Sequence, residues 1–366
     1  MSQDKRMLLI LEDGTRFEGV SFGAVDEICG WIHCDHNVVG YQEILTDPDN
    51  KGCIINMTYP LVGNYGVNDE DNESDGAYAA ALIIKERSKI ISNWRAKASL
   101  DDFMIRAHIV GLEKLDTRSL ALHIRNHGEL KGIIAPIEAP VDKLKAKLKT
   151  HIYPPSIKLM ESLTHQGKVP KSFSRNDQYH VAIYDLGIKR SYLKQIEACD
   201  CQVICVSANT PWEDITAIKP DGLLISNGYG SPWELGKIVD QIRVALGKLP
   251  IFGISLGCQL LALAGGAKVT RMKIGHHGSN YPIRHMHDGR ALITKQNHSF
   301  VIEKNSLEGS AFQASFINLN DATVEGIVSE EQLAIGIQFS PVPSDEGEPD
   351  FVFRHFTRMM DEFKKQ

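Results

Sequence analysis

The stretch Pro250-Ile-Phe-Gly-Ile-Ser255-Leu-Gly-Cys-Gln-Leu-Leu-Ala-Leu-Ala264 runs an apolar strand pattern into Gly-x-Ser-x-Gly and then directly into an apolar helix pattern. That order is the nucleophile-elbow pattern. Gly253 and Gly257 allow close backbone approach on either side of a tight strand-to-helix turn, which leaves residue 255 protruding at the positive end of a helix. Free backbone N–H groups there suit an oxyanion. Taken alone, the five-residue pattern fits a serine nucleophile of α/β-hydrolase type. It fits equally a plain strand-to-helix turn with glycines for packing and Ser255 as helix cap.

Around the elbow the pattern alternates. Residues 181–184, 203–206, 222–225 and 251–254 are short apolar runs that read as buried parallel strands. Segments of helical character follow them at 189–199, 212–218, 233–246 and 257–264. A doubly wound α/β sheet is expected, with ligand at the carboxyl ends of its strands. Residues 269–339 read as further strands, and 351–363 as a closing amphipathic helix. The N-terminal part reads as β-rich: residues 8–11 and 17–22 flank Asp13-Gly14, a good hairpin dipeptide, and a helical pattern appears around 119–125. From about Leu144 to Gln178 periodicity is lost and Pro154, Pro155 and Pro170 collect, as in a connector. The expected organisation is a first domain at 1–143, a linker at 144–178 and a second domain at 179–366.

Composition sets limits. With 366 residues, 43% hydrophobic and 23% charged, the chain can bury two ordinary cores. A formal net charge of −6 argues against nucleic acid or an anionic membrane surface as partner. The few apolar residues between Arg6 and Glu12 are too short for a signal-peptide core or a membrane span, so a cytoplasmic location is expected. Cys29, Cys34, Cys53, Cys199, Cys201, Cys205 and Cys258 are odd in number and form no Cys-x-x-Cys pair, which suits reduced thiols rather than disulfides or a zinc site. No metal site is expected.

Longer matches choose between the readings of the elbow. Gly253-Ile-Ser-Leu-Gly-Cys-Gln259 is similar to the Gly-Ile-Cys-Leu-Gly-His-Gln elbow of class I, triad-type glutamine amidotransferases. Gly40-Tyr-Gln-Glu-Ile-Leu-Thr-Asp-Pro48, Thr58-Tyr-Pro60, Gly63-Asn64, Asn68-Asp69 and Leu115-Asp-Thr-Arg118 resemble the N-terminal domain of carbamoyl-phosphate synthase small subunits. Tyr184-Asp-Leu-Gly-Ile-Lys-Arg190, Ser226-Asn-Gly-Tyr-Gly230, Gly275-His-His-Gly278 and Gln296-Asn-His298 follow in the family's order. The resemblance covers nearly the whole chain. It implies a β-rich N-terminal domain followed by a doubly wound class I amidotransferase domain, and a glutaminase that passes ammonia to a large subunit. ATP and metal are then expected on that large subunit, with no cofactor in this chain. The resemblance further implies that the product is carbamoyl phosphate, for arginine or pyrimidine synthesis.

The family's chemistry uses a cysteine nucleophile, a histidine and a glutamate, the last two from a Phe-Gln-x-His-Pro-Glu segment. Here that segment reads Ile337-Gln-Phe-Ser-Pro-Val342, so the resemblance puts Ser255, Ser340 and Val342 at the triad positions. A neutral serine hydroxyl without an adjacent base is a poor nucleophile, and losing one member of such a triad typically costs on the order of 10⁴-fold or more. Cys258 lies one helical turn below the elbow tip and reads as a buried helical cysteine. The family's glutamine pocket maps onto Asp49, Gly228, Gly230, Leu256, Gln259, Asn297, Ser299 and Phe300. Tyr229 stands between the two oxyanion-turn glycines, Ser299 replaces a usual glycine, and Asp49 stands where a serine is common. The expectation is a small subunit unable to hydrolyse glutamine, partnered by a carbamoyl-phosphate synthase large subunit, whose pocket takes glutamine or a related small molecule. Two rivals remain: a free-standing pseudo-glutaminase that binds a metabolite or a protein, and a serine hydrolase that uses Ser255 with a recruited histidine from among those that follow it.

Overall fold

The computed structural model describes residues 5–151, 178–344 and 346–365. The chain forms two compact units, one of residues 1–153 with 273–278 and one of residues 154–272 with 279–366.

The first unit is built on a closed seven-stranded barrel. Its strands are β1 (Arg6–Leu11), β2 (Arg16–Gly23), β3 (Ile28–Asp35), β4 (Ile54–Met57), β6 (Ala81–Ile83), β8 (Val110–Glu113) and β9 (Lys131–Pro136), in the order β1-β2-β8-β6-β4-β3-β9. A short pair, β5 (Leu61–Val62) and β7 (Glu86–Arg87), forms a separate ribbon. The Asp13-Gly14 turn joins β1 to β2 as expected: Gly14 takes φ +92°, and Asp13 Oδ1 accepts from the Thr15 N–H at 2.9 Å. Among the described residues, four helices complete the unit: α1 (Tyr41–Thr46), α2 (Leu100–Arg106), α3 (Thr117–His127) and α4 (Val141–Thr150).

Alternation along β1 sends Met7, Leu9 and Leu11 to one core with Ile32, Ile54, Ile83 and Leu112. Leu8 and Ile10 face the other way, against Leu144 and Leu148 of α4. This corrects the connector boundary. Residues 144–150 look like linker because lysines surround them, yet Leu144 and Leu148 stand four apart on one helical face and cover the outside of β1 and β9. The rest of the expected linker, residues 152–177, lies outside the described residues.

A nine-stranded sheet in the order β11-β10-β12-β13-β18-β17-β15-β14-β16 belongs to the second unit, apart from residues 273–278 of β14, which count with the first. The strands are β10 (Tyr179–Leu186), β11 (Cys201–Ser207), β12 (Gly222–Gly228), β13 (Ile251–Ile254), β14 (Val269–His285), β15 (Ala291–Ile302), β16 (Gln313–Asn318), β17 (Val324–Ser329) and β18 (Ala334–Ile337). The half from β11 to β18 is parallel, and β17 and its neighbours extend it antiparallel. The helices are α5 (Arg190–Glu197), α6 (Trp212–Ala217), α7 (Gly236–Ala245), α8 (Leu256–Ala264) and α9 (Phe351–Lys364).

Both faces of the sheet are buried, which is why its parallel strands read as continuous apolar runs. Trp212, Ile215, Ile238, Ile242 and Leu260 pack with Ala182, Tyr184 and Ile251 on one face. Tyr192, Ile196, Phe353 and Phe356 pack with Val181, Ile183 and Phe252 on the other. No described helix is long and apolar enough to cross a membrane.

Candidate functional site

β13 delivers the elbow. Its four residues are buried, and it pairs in parallel with β12, Ile225 opposite Gly253, and with β18, Ile254 opposite Ile337. The chain then turns through Ser255 at φ +52°, ψ −111°, and enters α8. The turn closes because two residues lack side chains. A Cβ on Gly257 would lie 2.1 Å from the Ile225 carbonyl oxygen, and one on Gly253 would lie 2.7 Å from the Gly257 carbonyl oxygen. The Ser255 N–H donates to the Ile337 carbonyl at 2.7 Å, tying the elbow to the end of β18. No side chain caps α8, and the Ser255 hydroxyl has no hydrogen-bond partner among the described residues.

Cys258 lies fully buried in α8, its sulfur facing Gly336 of β18, and burial pushes its thiol well above the ordinary cysteine range. It is a packing residue. A buried thiol with no cation beside it holds no thiolate at neutral pH.

The segment leaving β18 emerges at the same end of the sheet, because β13 and β18 run parallel. Ser340 pairs its backbone with Lys295, donating its N–H to that carbonyl at 2.8 Å. The Pro341 carbonyl accepts from Gln195 Nε2 at 3.1 Å. Val342 is 53% exposed, and its N–H donates to Asp350 Oδ2 at 3.1 Å. Asp350 also caps α9 through Val352, and burial pushes its carboxyl above the usual range in spite of the N–H groups of Val352 and Val342. Neither position 340 nor position 342 carries an imidazole or a carboxylate.

The other second-unit residues that the resemblance assigns to a glutamine pocket lie at the end of β12, on the elbow's helix and on β15. Gly228 ends β12, and a Cβ there would meet the Leu186 carbonyl oxygen at 2.3 Å. Gly230 takes φ +122°, open to glycine and strained for other residues. Leu256 is buried on α8, and Gln259 donates from Nε2 to the Phe300 carbonyl at 3.3 Å. That same carbonyl accepts from Gln338 Nε2 at 3.0 Å and from His298 Nδ1 at 2.9 Å. The Phe300 ring meets Trp233 edge to face, with centroids 5.3 Å apart. Asn297 and Ser299 lie on β15 on either side of His298.

His298 is buried, and its Nε2 lies 3.3 Å from Gln296 Oε1 and 3.4 Å from Glu325 Oε2. Its two nitrogens are thus directed at Phe300 and at the Gln296–Glu325 side. His285 pairs with Asp288 at 2.8 Å, and His355 Nδ1 lies 3.3 Å from Arg358. No described histidine is hydrogen-bonded to Ser255.

Asp49 belongs to the first unit. It sits half-buried in the 3₁₀ turn Pro48–Asn50, its N–H donating to Asp47 Oδ1 at 3.0 Å. The long motif that precedes it is a structural hub. The Tyr41 ring stacks on Tyr65 at 4.1 Å, the Tyr41 hydroxyl donates to the Gly66 carbonyl at 2.6 Å, and Gln42 Nε2 donates to Asn72 Oδ1 at 2.7 Å.

Comparisons with known proteins agree across both units. A family model described as carbamoyl-phosphate synthase small chain, CPSase domain, matches residues 9–134, and one described as glutamine amidotransferase class-I matches residues 182–359. The chain is 40% identical to the carbamoyl phosphate synthase small chain of Syntrophotalea carbinolica, over 97% of this chain and 98% of the relative. It is 39% identical to that of Listeria monocytogenes serotype 4b, over 97% of each chain. With the small chain of Chlorobaculum tepidum it shares 38% identity over 99% of this chain and 100% of the relative. A barrel domain carrying the first set of motifs, a doubly wound domain with a glutamine-amidotransferase elbow, and matches of this extent together show that the chain belongs to the carbamoyl-phosphate synthase small-chain family.

Proposed function

We propose that this protein is a small subunit of carbamoyl-phosphate synthase that does not hydrolyse glutamine and supports an ammonia-using large subunit. The observation that carries the reading is the state of the three triad positions. Ser255 keeps the elbow backbone and has no base at its hydroxyl, Ser340 is a backbone-paired serine, and Val342 is a half-exposed aliphatic residue. General-base activation of a hydroxyl needs an acceptor within about 2.6–3.2 Å, and a glutaminase needs a group to carry the proton to the leaving ammonia. Positions 255, 340 and 342 supply neither. The serine-hydrolase alternative needs a recruited histidine, and the hydrogen bonds of His298 speak against that residue.

The reading also requires a partner. The family's first-domain motifs are retained and form the hub around Tyr41 and Gln42, which a role in association would preserve after the triad is lost. Mixing the purified chain with a carbamoyl-phosphate synthase large subunit should give a single earlier peak in size-exclusion chromatography, as an interface of roughly 1,600 Å² would produce. Separate elution at micromolar concentration would favour the free-standing binding protein instead.

A further inference from the structure

Three donor side chains of the kind that ligate transition metals converge inside the first unit. His33 comes from β3, Glu129 from the turn between α3 and β9, and His277 from the 273–278 segment. One donor atom of each lies within 4.8 Å of the other two. His277 Nε2 is 3.1 Å from Glu129 Oε1, and the His33 and His277 rings are stacked with centroids 4.3 Å apart and planes 16° apart. The Gly275 N–H donates to the same carboxylate oxygen at 2.8 Å. The His277 and Glu129 side chains are only 5% and 3% exposed, and His33 is half-buried.

A carboxylate set against two stacked imidazoles in a mostly buried place is an arrangement that a divalent ion would satisfy with both rings neutral.

We propose that His33, Glu129 and His277 form a binding site for a divalent transition-metal ion, zinc by donor type, completed by water. Two imidazoles and one carboxylate are the donor set of open, four-coordinate zinc sites, whereas calcium and magnesium favour oxygen ligands throughout. Metal–donor bonds of about 2.0–2.1 Å put donors roughly 3.3 Å apart around a tetrahedral ion. The three atoms therefore close by about 1.5 Å at most, which side-chain rotation of the stacked rings supplies. The Gly275 N–H orients the carboxylate as an outer-shell partner would. Cys34 next in sequence is not a fourth ligand: it lies 3.4 Å from Asn56 Nδ2, and burial pushes its thiol up to about 11. Nor is His36, whose Nδ1 is 3.1 Å from Thr58 Oγ1. The proposal is independent of whether glutamine is hydrolysed.

The test uses the full chain stripped with chelator, titrated with Zn²⁺ against a chromophoric competitor and separately with Co²⁺ followed by visible absorption. One equivalent of Zn²⁺ should bind and raise the thermal midpoint, and Co²⁺ should give the intense visible band of four-coordinate geometry. His33→Ala and Glu129→Gln should each weaken binding by more than the roughly 10–100-fold typical of losing an outer-shell partner. His285→Ala, at the surface pair with Asp288, should leave binding unchanged. Absence of stoichiometric binding, a weak six-coordinate Co²⁺ spectrum, or folded His33 and Glu129 variants with full affinity would each overturn the site. If a variant does not fold by circular dichroism, the wild-type Co²⁺ spectrum and stoichiometry decide alone.

Discussion

Ser255 is one of seven described non-glycine residues with a positive φ. At φ +52°, ψ −111° it occupies a region that costs a non-glycine residue about 1–3 kcal/mol, and the surroundings over-determine it. The N–H is fixed on Ile337, and the two flanking glycines leave no room to relax. With no hydrogen bond at the hydroxyl, little opposes removal of the side chain. Ser255→Gly should stabilise the protein by about 1 kcal/mol, the strain relief outweighing the added chain entropy, and should raise the thermal midpoint by about 2–4 °C. A lower midpoint in differential scanning calorimetry would show that the serine side chain contributes more than the backbone strain costs. At this scale much was legible in advance. The glycines around the elbow announced close approach, and Cys258 read as buried because it falls one turn into an apolar helix. Asp350 was not legible, since its hold on the Val342 N–H depends on how the segment after β18 folds back eight residues later. Nor were His33, Glu129 and His277, because donors so far apart in sequence leave no spacing to read, and the cysteine pattern that argued against zinc does not speak to histidines.

Among the elements, α4 shows how a lysine-rich surface hides a packed face. Seven of its ten residues are exposed, but Leu144 and Leu148 are 2% and 4% exposed beneath it. Leu144→Ala should cost about 2–5 kcal/mol of the first unit's stability, whereas Lys143→Ala, on the solvent side, should change it by less than about 0.5 kcal/mol. Urea denaturation of the two variants checks this, and equal midpoints would return residues 144–150 to the connector. The strands and helices of the second unit were legible because each strand is a short apolar run buried on both faces and each helix keeps a 3.6-residue period. The barrel was legible only as β-rich. β4 and β6 are four and three residues long and wholly buried, too short for any period to show. β4 pairs in parallel with β3 and β6, and β6 with β8, so long connections rather than hairpin turns join them.

At the scale of the whole molecule, the likeness to small chains runs through both units, while Ser255, Ser340 and Val342, on which the proposed function rests, lie in the second alone. The elbow's glycines, its parallel neighbours and the Phe300 carbonyl that gathers Gln259, Gln338 and His298 are all still built. On the function proposed above, such a subunit keeps the architecture of a glutaminase and lacks the groups that move protons. Nitrogen-donor dependence is therefore the most direct measurement: carbamoyl phosphate formed by this chain together with a large subunit, assayed with ammonia and with glutamine as the sole nitrogen source. The account predicts synthesis from ammonia and none above background from glutamine. Glutamine-dependent synthesis that is abolished by Ser255→Ala would contradict it.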